Sequence, residues 1–282
     1  MMNSKVVIYF PDKSIEKGYL SLFREMFSEI FKNQWLTYQL FKRNFTATYK
    51  QSVLGVFWAL LIPLVSVGIF IFLNRGGIFN VGDIAIPYPL FAVAGMALWQ
   101  FFSVGLTLGT GSLASAGAMI TKINFPRKAL VISAVAQGFV TGLIPIVVVF
   151  ILFAIYGIMP PLTALLVPLA IIPLLFLTIG LGFLLSLVNG VLRDAGNGIS
   201  IVVTFMLFAT PVLYAKPSSG IVTTVSNYNP LYYLIAVPRD LLVTGVTHDF
   251  DGYIYSAVFS FVAFIVCLMI FHLSETVITE RI

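Results

Sequence analysis

Asp, Glu, Lys and Arg are missing from six stretches of this chain: 51–74, 84–121, 129–192, 195–215, 217–238 and 252–274. A helix crossing the hydrocarbon core of a bilayer needs about 20 mainly apolar residues. The gaps therefore predict spans near 53–73, 89–108, 130–156, 163–189, 198–214 and 253–273. The long third gap is divided by the turn signal Met159-Pro160-Pro161. The second span is expected to stop at 108, because the run 109–117 (GTGSLASAG) is too polar and glycine-rich to face lipid. That opens a cytoplasmic loop, 109–128.

The gap 217–238 has a different texture. It holds Pro217, Asn227, Asn229, Pro230 and Pro238 beside Tyr228, Tyr232 and Tyr233. Proline and asparagine at this density break a lipid-facing helix, because freed backbone groups find no water there. Short half-helices within an outer segment 216–252 fit the pattern, either on the membrane surface or dipping back into the protein. A plain extracytoplasmic loop with aromatic anchors is the alternative.

Residues 1–50 form a separate cytoplasmic segment ahead of a membrane domain, 51–282. Charges interrupt it too often for a signal peptide. From Ser14 onward Tyr19, Leu22, Phe23, Met26, Phe27, Ile30 and Phe31 recur at helical spacing. Trp35, Tyr38, Phe41, Phe45 and Tyr49 continue an aromatic stripe, flanked by Lys42, Arg43 and Lys50. An amphipathic helix of this kind lies in the membrane interface; a docking face for a partner is the equal alternative.

Composition agrees with a membrane protein. Of the 282 residues 59% are apolar and only 10% charged, against roughly 25% charged in soluble domains. Mean hydropathy is +1.01. With six spans and a cytoplasmic N-terminus, 13 of the 16 Lys and Arg lie inside, leaving Arg75, Lys216 and Arg239 outside. This positive-inside bias puts both termini in the cytoplasm and accounts for a pI near 9.3 without nucleic acid.

Candidate chemistry is sparse. One cysteine, Cys267, and two histidines, His248 and His272, offer no metal site. No glycine precedes a lysine, so the chain has no phosphate-cradling P-loop of its own. No catalytic residue, metal or bound cofactor is expected. A membrane-embedded glycosyl or acyl transferase would need a polar cluster of His, Asp or Glu at a membrane face. The glycine pairs Gly105/Gly109 and Gly138/Gly142 have the spacing of close helix contacts, but such spacing is common in glycine-rich spans and ordinary packing is the expected reading. Aromatics near the outer ends or within spans could offer stacking faces to a sugar chain: Trp58, Tyr88, Trp99, Phe101, Phe102, Tyr214, Tyr232 and Tyr233.

The run Gln51-Ser52-Val53-Leu54-Gly55-Val56-Phe57-Trp58, with Pro63, resembles the motif at the first span of ABC-2 type permeases. Ile123-Asn124-Phe125-Pro126-Arg127, Leu192-Arg193-Asp194, Pro211-Val212-Leu213-Tyr214 and Asn229-Pro230-Leu231 agree with that family in order and spacing. The resemblance covers roughly 40–245. It implies an all-α polytopic membrane protein of six helices with an N-terminal interface helix, in the architecture of type V ABC exporters. It further implies coupling to an ATPase through Ile123 to Arg127 and through Arg193 and Asp194, an interface helix running from Trp35 to Gln51, and an outer gate around Asn229 and Pro230. The partners it implies are a second copy of the chain, two ABC ATPase subunits that bind ATP and Mg, membrane lipids and a lipid-linked polysaccharide. O-antigen is the leading substrate; teichoic acid, capsule or a smaller lipid or drug are alternatives. The setting it implies is the cytoplasmic membrane. Lys128 departs from the family pattern, which commonly has Glu there.

Overall fold

The computed structural model describes residues 19–50, 55, 57–77, 81–82, 84–116, 125–192 and 194–278, and every regular element among them is a helix. Two helices, α1 (Tyr19–Lys32) and α2 (Gln34–Lys50), meet at Asn33 and carry the amphipathic stripe. They precede α3 (Phe57–Arg75), α4 (Tyr88–Ser115) and α5 (Arg127–Tyr156). A 3-10 turn (Leu162–Leu166) and the single turn α6 (Val167–Ala170) lead into α7 (Ile172–Val191). Next come α8 (Ala195–Ala209), the short α9 (Ile221–Tyr228), α10 (Pro230–Val243) and α11 (Phe250–Ile278).

Among the described residues, four stretches are long and apolar enough to cross a membrane: α4, α5, the run Leu162–Val191 and the first 25 residues of α11. Two shorter apolar helices, Leu60–Leu73 within α3 and α8, stand where the first and fifth spans are expected.

Helices α4, α5, α7 and α11 form the packed centre. Lipid tails are as apolar as leucine, so such helices are held by close van der Waals approach more than by exclusion of water. The approach is closest at Gly138 of α5, where an added Cβ would overlap the backbone of Gly105 in α4. The glycine spacing read from the sequence is thus a helix contact. Two apolar clusters flank this crossing. One gathers Leu90, Phe101, Phe153, Leu174 and Leu234; the other joins Leu130, Phe183, Leu268 and Phe271 to Leu22 and Met26 of α1. The apolar face of α1 is therefore largely used on the protein itself, although Phe31 stays exposed.

Two boundaries differ from those the sequence suggests. Helix α4 continues past 108 to Ser115. The polar run is not set against lipid: Gly109, Thr110 and Ser112 are buried, and both hydroxyls donate to carbonyls of their own helix. The Asn189 amide of α7 donates to the Thr110 carbonyl. Helix α8 ends at Ala209, short of 214. Pro211 drives the preceding residue out of the helical region, and Thr210 is extended at φ −106, ψ 126. Fifteen residues reach only about 22 Å at 1.5 Å per residue. The chain continues as irregular backbone through Thr210–Tyr214, buried in the protein, a setting in which non-helical backbone is tolerated at membrane depth. Gly95 of α4 makes room for it, since a Cβ there would collide with the Val212 carbonyl.

Candidate functional site

The segment after α8 folds as two helices, α9 and α10, that meet at Asn229. Its side chain caps α10 by accepting from the Leu231 amide at 3.0 Å, while its own amide donates to Thr210 at 2.9 Å. Pro230 occupies the first helical position, where a missing N–H costs nothing. Helix α10 then runs buried along most of its length and packs on α11 and α4. Of the readings left open for 217–238, half-helices describe this segment: α10 is turned back into the protein, while α9 stays largely exposed.

Charged and aromatic groups pin it in place. Arg239 is buried; its guanidinium lies 3.9 Å above the Phe91 ring and donates to the Pro211 carbonyl at 3.2 Å and to Asp240 at 3.2 Å. Burial raises the Asp240 carboxyl above its usual range, against the opposing pull of Arg239. Lys216 sits 4.8 Å from the Tyr232 ring and 3.9 Å from the Asp249 carboxylate. Tyr232 donates to Asp249 at 2.7 Å and Tyr233 to the Asn227 carbonyl at 3.1 Å. The rings of Tyr232 and Tyr233 meet edge to face, 5.0 Å between centroids.

The other aromatics named from the sequence are not gathered with these. Trp99, Phe101 and Phe102 are buried in the centre, with Phe101 stacked on Phe139. Tyr88 donates to the Leu213 carbonyl at 2.9 Å and Tyr214 to the Phe208 carbonyl, so both serve the irregular stretch after α8. Trp58 is exposed on α3, far along the chain from the outer helices.

At the opposite end, Phe125 is half-buried against the apolar cluster that holds α1, and Pro126 caps α5. Ile123, Asn124 and Arg193 lie outside the described residues. Asp194 is exposed at the start of α8 with no side-chain capping bond. On α2, Trp35 is 70% exposed, Phe45 packs on Phe41 at 5.7 Å, and Lys42 and Lys50 are exposed. Gln51 and the Tyr49 side chain lie outside the described residues.

One arrangement here was invisible in the sequence. Lys128, only 1% exposed, donates to Glu29 of α1 and lies 2.9 Å from Nδ1 of His272 on α11. An ammonium can only donate, so Nδ1 is the acceptor. The cluster ties the start of α5, the end of α11 and the amphipathic α1 at one point. Its members are 99 and 144 positions apart, and no local pattern announces such a pairing.

Several helices long and apolar enough to span lipid, an amphipathic pair before them and a broken segment whose second helix is buried define a multi-pass membrane protein of the transporter class. The chain belongs to the ABC-2 type transporter family, whose model matches residues 36–243. It is similar to the O-antigen export system permease protein RfbA of Klebsiella pneumoniae: 30% identical in one case over 82% of this chain and 88% of the relative, and 30% in another over 76% and 82%. It is 29% identical to the RfbA permease of Myxococcus xanthus, over 66% of this chain and 70% of the relative.

Proposed function

We propose that this chain is the membrane subunit of an ATP-driven exporter that moves a lipid-linked polysaccharide of the O-antigen type across the cytoplasmic membrane. The observation that carries this reading is the likeness, over most of both chains, to permeases named for O-antigen export. Two copies would pair and recruit two separate ATPase subunits, which bind ATP and Mg. The segment Phe125-Pro126-Arg127, together with Asp194, is the proposed contact for that ATPase. Helices α9 and α10 are the proposed outer gate, with the partly exposed Tyr233 beside the sugar path. In the proposed topology both termini face the cytoplasm and six crossings are made, α3 and α8 completing two of them.

Reconstitution tests the function. Vesicles containing the chain and its ATPase should move a lipid-linked O-polysaccharide to the far side only with ATP, and the chain alone should hydrolyse none. Transport of a short lipid but no polymer, or ATP turnover by the chain alone, would refute the reading. Topology is tested with Cys267 replaced by Ala. A cysteine at Val246, exposed between α10 and α11, should label from outside intact cells, and one at Lys32 should not.

A further inference from the structure

A cleft of about 520 Å³ lies where α2 crosses the facing ends of α4 and α5, within the roughly 300–1,000 Å³ typical of small-molecule sites. Its polar lining comes from three helices: Arg43, Asn44 and Thr48 of α2, Ser112 and Ser115 of α4, and Gln137 of α5. The rest of the wall is alanine and leucine.

The charge here has one sign. Helix α2 carries Lys42, Arg43 and Lys50 and no carboxylate. The Arg43 guanidinium donates through Nε and Nη2 to Oδ1 of Asn44, at 3.2 and 3.1 Å. Arg43 is exposed, and this contact with its neighbour leaves Nη1 and the Asn44 amide as donors at the cleft mouth. Gln137 donates to Thr48 at 2.8 Å, which stitches α2 to α5 at the cleft wall. The hydroxyls of Ser112 and Ser115 donate to their own helix at 2.6 and 3.0 Å, so their oxygens remain as acceptors. A cation with an amide donor beside it, facing hydroxyl acceptors and small apolar side chains, matches an anion that also carries hydroxyls and an apolar tail. The exposed Trp35 and Tyr38 of α2 belong at headgroup level, where amphipathic helices present aromatic rings.

We infer that this cleft binds the net-anionic phosphate headgroup of a membrane lipid. Phosphatidylglycerol and the sugar-phosphate junction of a lipid-linked glycan share that chemistry; only the second source rests on the export reading. The test uses the full chain, purified and incubated with phosphatidylglycerol, with a polyprenyl diphosphate and with phosphatidylcholine, retained lipid being counted by native mass spectrometry. At least one of the two anionic lipids should be retained about tenfold over zwitterionic phosphatidylcholine, and Arg43→Gln should lose about tenfold of that retention, in line with one charge-assisted contact. Ala47→Phe, which fills the cleft from its exposed wall, should lose it as well. Lys32→Gln, with the same loss of charge on α1, should not. Preference for phosphatidylglycerol identifies a bulk-lipid site, and preference for the diphosphate a site for the exported molecule. A permease that exports nothing would still pass the first arm. Retention no better than phosphatidylcholine, or retention undiminished in both Arg43→Gln and Ala47→Phe, overturns the inference. So does loss of ATPase binding in those variants with lipid retention intact, which would make the cleft a protein-docking site.

Discussion

Helices α5 and α8 are both apolar, yet the protein holds them very differently. Helix α5 is buried along one whole side, meets α4 backbone to backbone at Gly138 and is locked at its start by Lys128. Helix α8 buries only Val203; Ile201, Val202, Phe205 and Phe208 are exposed. Similar hydropathy thus serves two purposes. In α5 the side chains fit a fixed neighbour, while in α8 they form a surface that the single chain leaves uncovered. Elements that move in a working protein come from the weakly packed end of this range, which makes α8 a better candidate for motion than α5.

The largest expected effect comes from breaking the tight side. Gly138→Val would force α4 and α5 apart against backbone that cannot yield, costing on the order of 3 kcal/mol or more. The variant should accumulate poorly in membranes and elute as aggregate in detergent. Normal yield with a single sharp elution peak would mean that α4 and α5 have slack. Lys128→Ala comes next. It strands Glu29, and because that carboxylate is 31% exposed the loss should be about 2–3 kcal/mol, below the full penalty for a broken buried pair. The melting midpoint of the purified chain should fall clearly, and Glu29→Gln should lower it less.

A smaller effect sharpens the comparison at the outer helices. The raised Asp240 carboxyl means that the folded chain binds more protons than the unfolded one between the ordinary carboxylate pKa and the raised value. Its contribution to stability therefore grows as pH falls through that window and is lost as pH rises through it. The melting midpoint of the wild type should drop relative to Asp240→Asn as pH climbs from about 4 to 7. A constant difference would mean that Arg239 fully offsets the burial. The smallest effect is expected at Phe205→Ala on α8, within about 0.5 kcal/mol of wild type. A large loss of stability there would show that a partner covers α8 in the folded assembly.

Much of the helical plan was legible because charge is so costly in lipid that its absence marks helices directly. The centres of α4, α5, α7 and α11 follow from the uncharged gaps together with the Met159-Pro160-Pro161 turn that divides the third. Helix ends were less legible, because polarity was judged against lipid. Thr110 and Ser112 are accommodated by protein, so α4 runs further than their polarity suggests. The stop of α8 before Pro211 was readable from the restriction proline places on its predecessor. Site residues were legible only where they act locally: Asn229 and Pro230 shape the start of α10 within three positions. Trp99 and Phe101 show the limit, since an aromatic ring packed in a core and one lining a path look alike in sequence. Glu29, Lys128 and His272 show it again, as three ordinary polar residues until the fold joins them.

Arg239 and Asp240 are neighbours on α10 and the only charges on α9 or α10. The resting potential of a membrane does work of about 2.3 kcal/mol per elementary charge per 100 mV. A pair of opposite charges 3.2 Å apart that travels together carries no net charge through that field. Any swing of the two outer helices is therefore electrically silent, and their position should be indifferent to whether the cell is energised. Were α9 and α10 to move as the proposed gate, voltage would neither latch them nor pull them open, and the force on them would arrive through the helices they pack against.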